Sequence, residues 1–309
     1  MRGTDIPCLV VMIAKALVFH NELSMKDVKL EGDYRVLYVG ICGTDIAILK
    51  GSYKPRKLPL VLGHEFSLEV DGKVYTSEIN VVDWTCDYCR RGEYTHCENR
   101  KAIGIDLDGA MRENISVPRY LLHRGNTPLA SSLAEPTAAV LRMVELLRPS
   151  PEDRALVIGD GPVGIISALV LSREGLDVTL KGKHRERMMV ASSMGVKVAE
   201  PQGKYEVVVE ATGGNALNEA VQHVKPMGKV AVKSTHGLNV PLDQTKVAVE
   251  EISVIGSRCG PFYLWDKAVR YTKELGLEDM VKMYSFRDYA QAFRDVMERR
   301  VVKAVLDLS

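Results

Sequence analysis

The run Val157-Ile158-Gly159-Asp160-Gly161-Pro162-Val163-Gly164 constrains this chain more than any other segment. A strand-like stretch, 155–158, enters G-x-G-x-x-G, and a helical pattern over 163–173 leaves it. Inside a strand–turn–helix–strand unit such a turn has a specific use. Gly159 permits the tight turn, Gly161 lets a pyrophosphate approach the backbone, and Gly164 allows close helix–strand packing, with the helix N-terminus facing the phosphates. The other reading is a purely structural turn of an α/β protein. The next strand, 177–180, runs into Lys181-Gly182-Lys183-His184-Arg185. NAD-binding chains tend to place an acid about 20 residues on, to bind the ribose 2′-hydroxyl. No acid stands there. Lys183 and Arg185 would attract a 2′-phosphate, which points to NADP over NAD; the alternative is solvated charge at a helix start.

Strands and helices go on alternating, with a helix over 185–194 and strands over 207–211, 230–233 and 253–255. That alternation predicts an α/β fold whose doubly wound parallel sheet is covered on both faces. A helix over 133–147, with Ser131 and Ser132 as caps, precedes it. Before about residue 128 the texture is β-rich and irregular, with strand-like runs at 15–19, 34–39 and 74–82. After 258 come a helix over 288–300 and a final strand over 304–308. At roughly 150 residues per domain, 309 residues suggest two domains.

Lys and Arg number 41 against 40 Asp and Glu, so no general basic surface for nucleic acid is expected. The longest apolar run, 6–14, is too short to span a bilayer and lacks a basic leader, so no membrane partner is expected and a cytoplasmic location is. Residues 1–11 are either a short extension or precede a start at Met12.

Six cysteines in 309 residues form no secreted disulfide framework. Three are clustered: Cys86 and Cys89 as C-x-x-C, then Cys97. Three thiolates can wrap a tetrahedral zinc, but a closed site needs a fourth ligand, and Asp83 stands three residues before Cys86. A metal-free trio or a redox pair is the alternative. A more dispersed set, Cys42 with Thr44 and Asp45, then His64 and Glu65, suggests a catalytic zinc with an open position when joined to a dinucleotide fold.

These segments resemble the medium-chain dehydrogenase/reductase superfamily, specifically its zinc-dependent alcohol, polyol and sugar dehydrogenases, glucose dehydrogenase among them. The resemblance rests on 40–45, 63–65, the cysteine cluster, 134–136, 159–164, 210–213 and 256–257, in family order over nearly the whole chain from Lys15. It implies a GroES-like catalytic domain over 1–127, a Rossmann domain over 128–257 and a return to the catalytic domain over 258–309. It implies that Cys42 and His64 ligate the catalytic zinc and that Glu65 ligates it or lies just outside. Glu135 would be a further ligand, an acid typical of polyol and sugar dehydrogenases; its other reading is a helix N-terminal charge. Thr44 would take the substrate proton, and Asp45 would orient the histidine. The cofactor would touch Gly159, Gly161, Pro162, Val163, Gly164, Gly182, Lys183, His184, Arg185, Ala211, Thr212 and Gly213. A homodimer or homotetramer is implied as well.

Two departures stand out. Asp83 replaces the family's first lobe cysteine, and Ala47 stands where several members carry a histidine that finishes the proton relay. Cys8 and Cys259 have no metal role. Tyr53, Lys54 and Arg56 are either donors to a polyhydroxylated substrate or surface charge. The expected activity is zinc-dependent hydride transfer between an alcohol, polyol or aldose hydroxyl and NADP; the alternative is a non-catalytic NADP-binding homologue.

Overall fold

The structure, a computed structural model, describes residues 13–29, 32–235, 237 and 239–309. The readings on the N-terminal segment and on Cys8 lie outside the described residues.

Five parallel strands form one sheet in the spatial order Asp177–Lys181, Arg154–Ile158, Tyr205–Glu210, Val224–Val232, Ser253–Gly256. The chain starts at Arg154–Ile158, steps outward, then crosses back to lay Tyr205–Glu210 on the other side. The strand order therefore reverses beside the glycine turn, which is where open α/β sheets bind ligands. Alternate residues sort to opposite faces. Ala155, Val157, Val207 and Val209 enter one core with Leu141, Ile165 and Ile166. Leu156, Ile158, Val208 and Val230 enter another with Ala220 and Val221. Both faces are covered, so the strands read as continuous apolar runs rather than alternating ones. Beyond Asp177–Lys181 a further parallel position is reduced to a bridge between Leu180 and Val198.

The helix after the glycine turn is Pro162–Arg173, with Gly161 as N-cap and Pro162 in its first turn, where a missing N–H costs nothing. The helix expected over 133–147 is Ala134–Leu147, but Ser131 and Ser132 do not cap it. They belong to a separate short helix, Pro128–Ser131, capped by Thr127, and their hydroxyls donate at 2.7 Å to the carbonyls of Thr127 and Leu129. The single strand expected over 74–82 is broken into Lys73–Ser77 and Asn80–Val81, because the chain bends between them to bury Glu78.

The second large sheet runs Leu122–Arg124, Lys73–Ser77, Glu65–Val70, Tyr34–Gly40, Lys303–Asp307, Val281–Ser285. The last strand of the chain thus lies inside the sheet, antiparallel to Tyr34–Gly40. Its core gathers Val36, Val39, Phe66, Leu68, Ala304 and Leu306. The tail serves both cores. Trp265, Ala268 and Val269, on the helix Trp265–Glu274, pack with the parallel-sheet core, and from Val281 the chain joins the mixed sheet.

A buried polar knot joins these parts. The Tyr94 hydroxyl donates to Glu78 and accepts from the backbone N–H of Phe262. His123 Nε2 lies 3.0 Å from Glu78, and its ring stacks on Trp265 at 4.9 Å. No helix among the described residues is long and apolar enough to cross a membrane.

Candidate active site

Cys42 ends the approach of strand Tyr34–Gly40 and caps the short helix Gly43–Leu49. Asp45, fully buried in the first turn, accepts the Cys42 N–H through Oδ2 at 2.8 Å. Its other oxygen lies 3.6 Å from His64 Nδ1. His64 reaches this place because Gly63 holds φ +97° directly before it, in a turn where a Cβ would meet Met111 and Val39 at 2.8 Å. Glu65 then opens the strand Glu65–Val70, paired in register with Gly40. As a result the Cys42 thiol, a His64 nitrogen and a Glu65 oxygen all lie within 4.8 Å of one another.

The electrostatics follow from that crowding. Burial would raise the Cys42 thiol, but His64 and Lys303 hold it below its ordinary value. Burial opposes a charged His64, yet Cys42 and Asp45 hold the imidazole well above its usual range. Lys303 is buried, forms an ion pair with Glu65 and donates to the Ile41 carbonyl at 3.1 Å. The Thr44 hydroxyl stands 3.8 Å from the Cys42 sulfur.

This donor set fits zinc. His64 Nδ1 and Asp45 Oδ1 are both buried without a hydrogen-bond partner. An imidazole that gives its other nitrogen to a metal carries its proton on Nδ1, facing the waiting carboxylate. Thiolate, imidazole and carboxylate are competent zinc ligands. Glu135 lies outside this trio, in the first turn of Ala134–Leu147. Loss of hydration holds its carboxyl above the usual range, against the pull of His64 and Lys233.

The cysteine lobe closes as a foursome: Asp83, Cys86, Cys89 and Cys97 offer atoms within 4.8 Å of one another. Asp83 Oδ1 lies 3.4 Å from the Cys97 sulfur and 3.9 Å from that of Cys89, and it accepts the Thr85 N–H at 3.0 Å. Hydrogen bonds from Asn99 and Thr85 keep Asp83 ionised well below the carboxylate range. Burial pushes the Cys89 thiol up to about 12, whereas backbone N–H groups of Cys89 and Glu98 draw Cys86 down.

At the sheet's carboxyl edge lies a cavity of about 270 Å³ lined by Gly159, Gly161, Gly182, Lys183, His184 and Thr212, among others. A Cβ at Gly164 would stand 2.0 Å from the Gly159 carbonyl oxygen, so the helix packs against the turn only because glycine is there. Asp160 accepts the backbone N–H groups of Lys183 and His184 at 2.6 and 2.8 Å, which ties the second strand's loop to the glycine turn. On the other side, Glu210 Oε1 accepts the Thr212 N–H at 3.0 Å and the Ser234 hydroxyl at 2.9 Å.

A model of the alcohol dehydrogenase GroES-like domain matches residues 33–127. D-arabitol-phosphate dehydrogenase of Enterococcus avium is 27% identical over 311 residues, covering 88% of this chain and 88% of that protein. Sorbitol dehydrogenase of Halalkalibacterium halodurans is 26% identical over 311 residues, covering 88% of this chain and 90% of its own length. A solved structure described as a zinc-binding dehydrogenase from Sinorhizobium meliloti 1021, bound to NADP, has a TM-score of 0.87 at 22% identity, over 96% of this chain and 99% of that one. Residues 33–127 thus match the alcohol dehydrogenase GroES-like domain, and over nearly its whole length the chain is similar to polyol dehydrogenases and shares the fold of a zinc-binding dehydrogenase.

The expected site residues fall into separate places. Cys42, His64 and Glu65 converge; Thr44 borders them; the lobe foursome converges on its own. Pro162, Val163, Gly164, Arg185, Ala211 and Gly213 do not line the cavity beside the glycine turn, and Arg185 is exposed at the start of its helix. Arg187, Asn215, Glu219 and Arg299 do line it, without having been anticipated as cofactor contacts. Lys303 was also missed. Its signal was present, a lone lysine before Ala304, Val305 and Leu306.

Proposed function

We propose that this chain transfers hydride between a hydroxyl of a polyol, sugar or related alcohol and NADP, with a catalytic zinc held by Cys42, His64 and Glu65. The observation that carries the reading is the buried trio within 4.8 Å, with Asp45 facing His64 Nδ1. When bound, zinc polarises the substrate hydroxyl and the nicotinamide takes the hydride. The chain's own residues do the rest. Asp45 orients His64, and Thr44 accepts the hydroxyl proton beside Cys42. With Ala47 in place of a further base, that proton leaves through water. Glu135, whose carboxyl feels the charge of His64, would join the ligands or face the substrate. Asp83, Cys86, Cys89 and Cys97 hold a second, structural zinc.

The relatives named for arabitol phosphate and sorbitol support a polyhydroxylated substrate. NADP is favoured because no acid follows the second strand, while Lys183, His184, Arg187 and Arg299 line the cavity. Homo-oligomerisation is supported by the strand Ser253–Gly256, which ends the parallel sheet with Val254 exposed and Val249 77% exposed nearby. A thiolate-rich metal set suits a reducing cytoplasm.

The test is a metal-verified activity screen with NAD and NADP against aldoses, polyols, sugar phosphates and simple alcohols. Cys42→Ala and His64→Ala should lose both zinc and turnover. A metal-free variant with full activity overturns the reading. Glu135→Gln with normal zinc content and rate would remove Glu135 from the ligand set.

A further inference from the structure

Lys181 and Lys183, at and just after the end of the second strand, both face the nucleotide cavity. Lys181 is engaged by Glu219 at 2.8 Å, and Arg185 lies outside the lining. Two arginines from distant parts of the chain do line it. Arg187 is on the helix Arg185–Ser193; Arg299 lies between the helix Tyr289–Met297 and the strand Lys303–Asp307.

Arg187 is 6% exposed, and its Nε is buried without a hydrogen-bond partner. The carboxylate beside it is Asp160, 3.9 Å from Nη1. Asp160 is already occupied by the N–H groups of Lys183 and His184 and by the His184 ring at 3.0 Å. A buried guanidinium with one long contact is poorly compensated. Arg299 adds a second positive charge close enough to lower the Arg187 pKa further, beyond the effect of burial. Arg299 holds φ +60°, uncommon for a residue with a side chain. Its neighbour Arg300 pairs with Asp295 and Glu298, whereas Arg299 makes no ion pair among the described residues.

We propose that Arg187 and Arg299 together form the subsite for the 2′-phosphate of NADP, one arginine coming from the nucleotide-binding helix and the other from the returning C-terminal segment. This rests on the reading that the nucleotide is NADP. A phosphate dianion between two guanidiniums supplies the negative charge that Asp160 cannot, and planar forks bind phosphate bidentately. Arg299 stands four residues before Lys303, the partner of Glu65. The segment that reads the adenosine end of the cofactor therefore also carries the cation that holds the metal-site carboxylate.

The test is calorimetric binding of 2′,5′-ADP and 5′-ADP to the purified enzyme and to Arg187→Gln and Arg299→Gly. Glycine suits the positive φ, so Arg299→Gly remains decisive even if Arg187→Gln folds poorly. The wild type is expected to prefer 2′,5′-ADP. Each variant should weaken 2′,5′-ADP by about 10-fold or more, the effect of losing a charge-assisted hydrogen bond, and weaken 5′-ADP far less. If the wild type prefers 2′,5′-ADP and both variants keep that preference, the inference fails while the NADP reading stands. If the wild type shows no preference, the NADP reading itself fails and the subsite with it.

Discussion

Glu65 and Lys303 form a buried ion pair across 238 residues of sequence, joining the strand that follows His64 to the last strand of the chain. The pair closes the mixed sheet around the Cys42, His64 and Glu65 cluster: Lys303 also holds the carbonyl of Ile41, next to Cys42.

Removing one partner of such a pair strands the other charge in a low dielectric. Lys303→Met should lower the unfolding free energy by about 3–5 kcal/mol in urea denaturation, and Lys303→Arg by much less. A methionine variant as stable as the wild type would show that Glu65 is not held by this lysine.

Asp45 serves two neighbours, the Cys42 N–H and His64 Nδ1. Asp45→Asn keeps the shape but weakens the orientation of the histidine. Zinc affinity, read by competition with a chromophoric chelator, should fall about 10–100-fold. Unchanged affinity would mean that the carboxylate only caps the helix.

The lobe should hold a second zinc per chain, lost on Cys89→Ser with the catalytic zinc retained. A carboxylate is a harder ligand than thiolate, so Asp83→Cys should slow zinc release to excess EDTA by about 10-fold or more. A wild-type content of one zinc per chain would show that the lobe stands without metal.

Asp160 supplies a pH signature. Burial would raise its carboxyl, but the N–H and ring of His184 and the N–H of Lys183 hold it below the ordinary value. A carboxyl depressed in the folded state adds stability that is complete above its unfolded pKa of about 3.9 and is lost as the pH falls through the lower folded value. Asp160→Asn should therefore cost about 2 kcal/mol near neutral pH, and the gap to wild type should close below about pH 4. A gap that does not narrow as the pH falls below about 4 would assign the cost to shape rather than charge.

Much of this was legible in the residues. The glycine turn, the alternation of strands and helices, the C-x-x-C lobe with Asp83, and Cys42 with His64 each depend on local spacing, and local spacing survives in a linear string. Where the reading failed, a contact from elsewhere had intervened. Ser131 and Ser132 have the chemistry of helix caps, yet their hydroxyls turn back to the preceding helix. The apolar run 74–82 looks like one strand, yet it breaks where Glu78 meets Tyr94 and His123.

The sequence by itself determined the fold class and picked out the two clusters of candidate metal ligands, because turns, strand periodicity and ligand spacing are short-range properties. Only the tertiary structure decided which charges meet. Arg187 with Arg299, Glu65 with Lys303 and Glu78 with Tyr94 and His123 come together through sheet order and the return of the tail. Burial then sets the strength of each encounter, since a charge removed from water is stabilised only by the partner that folding brings to it.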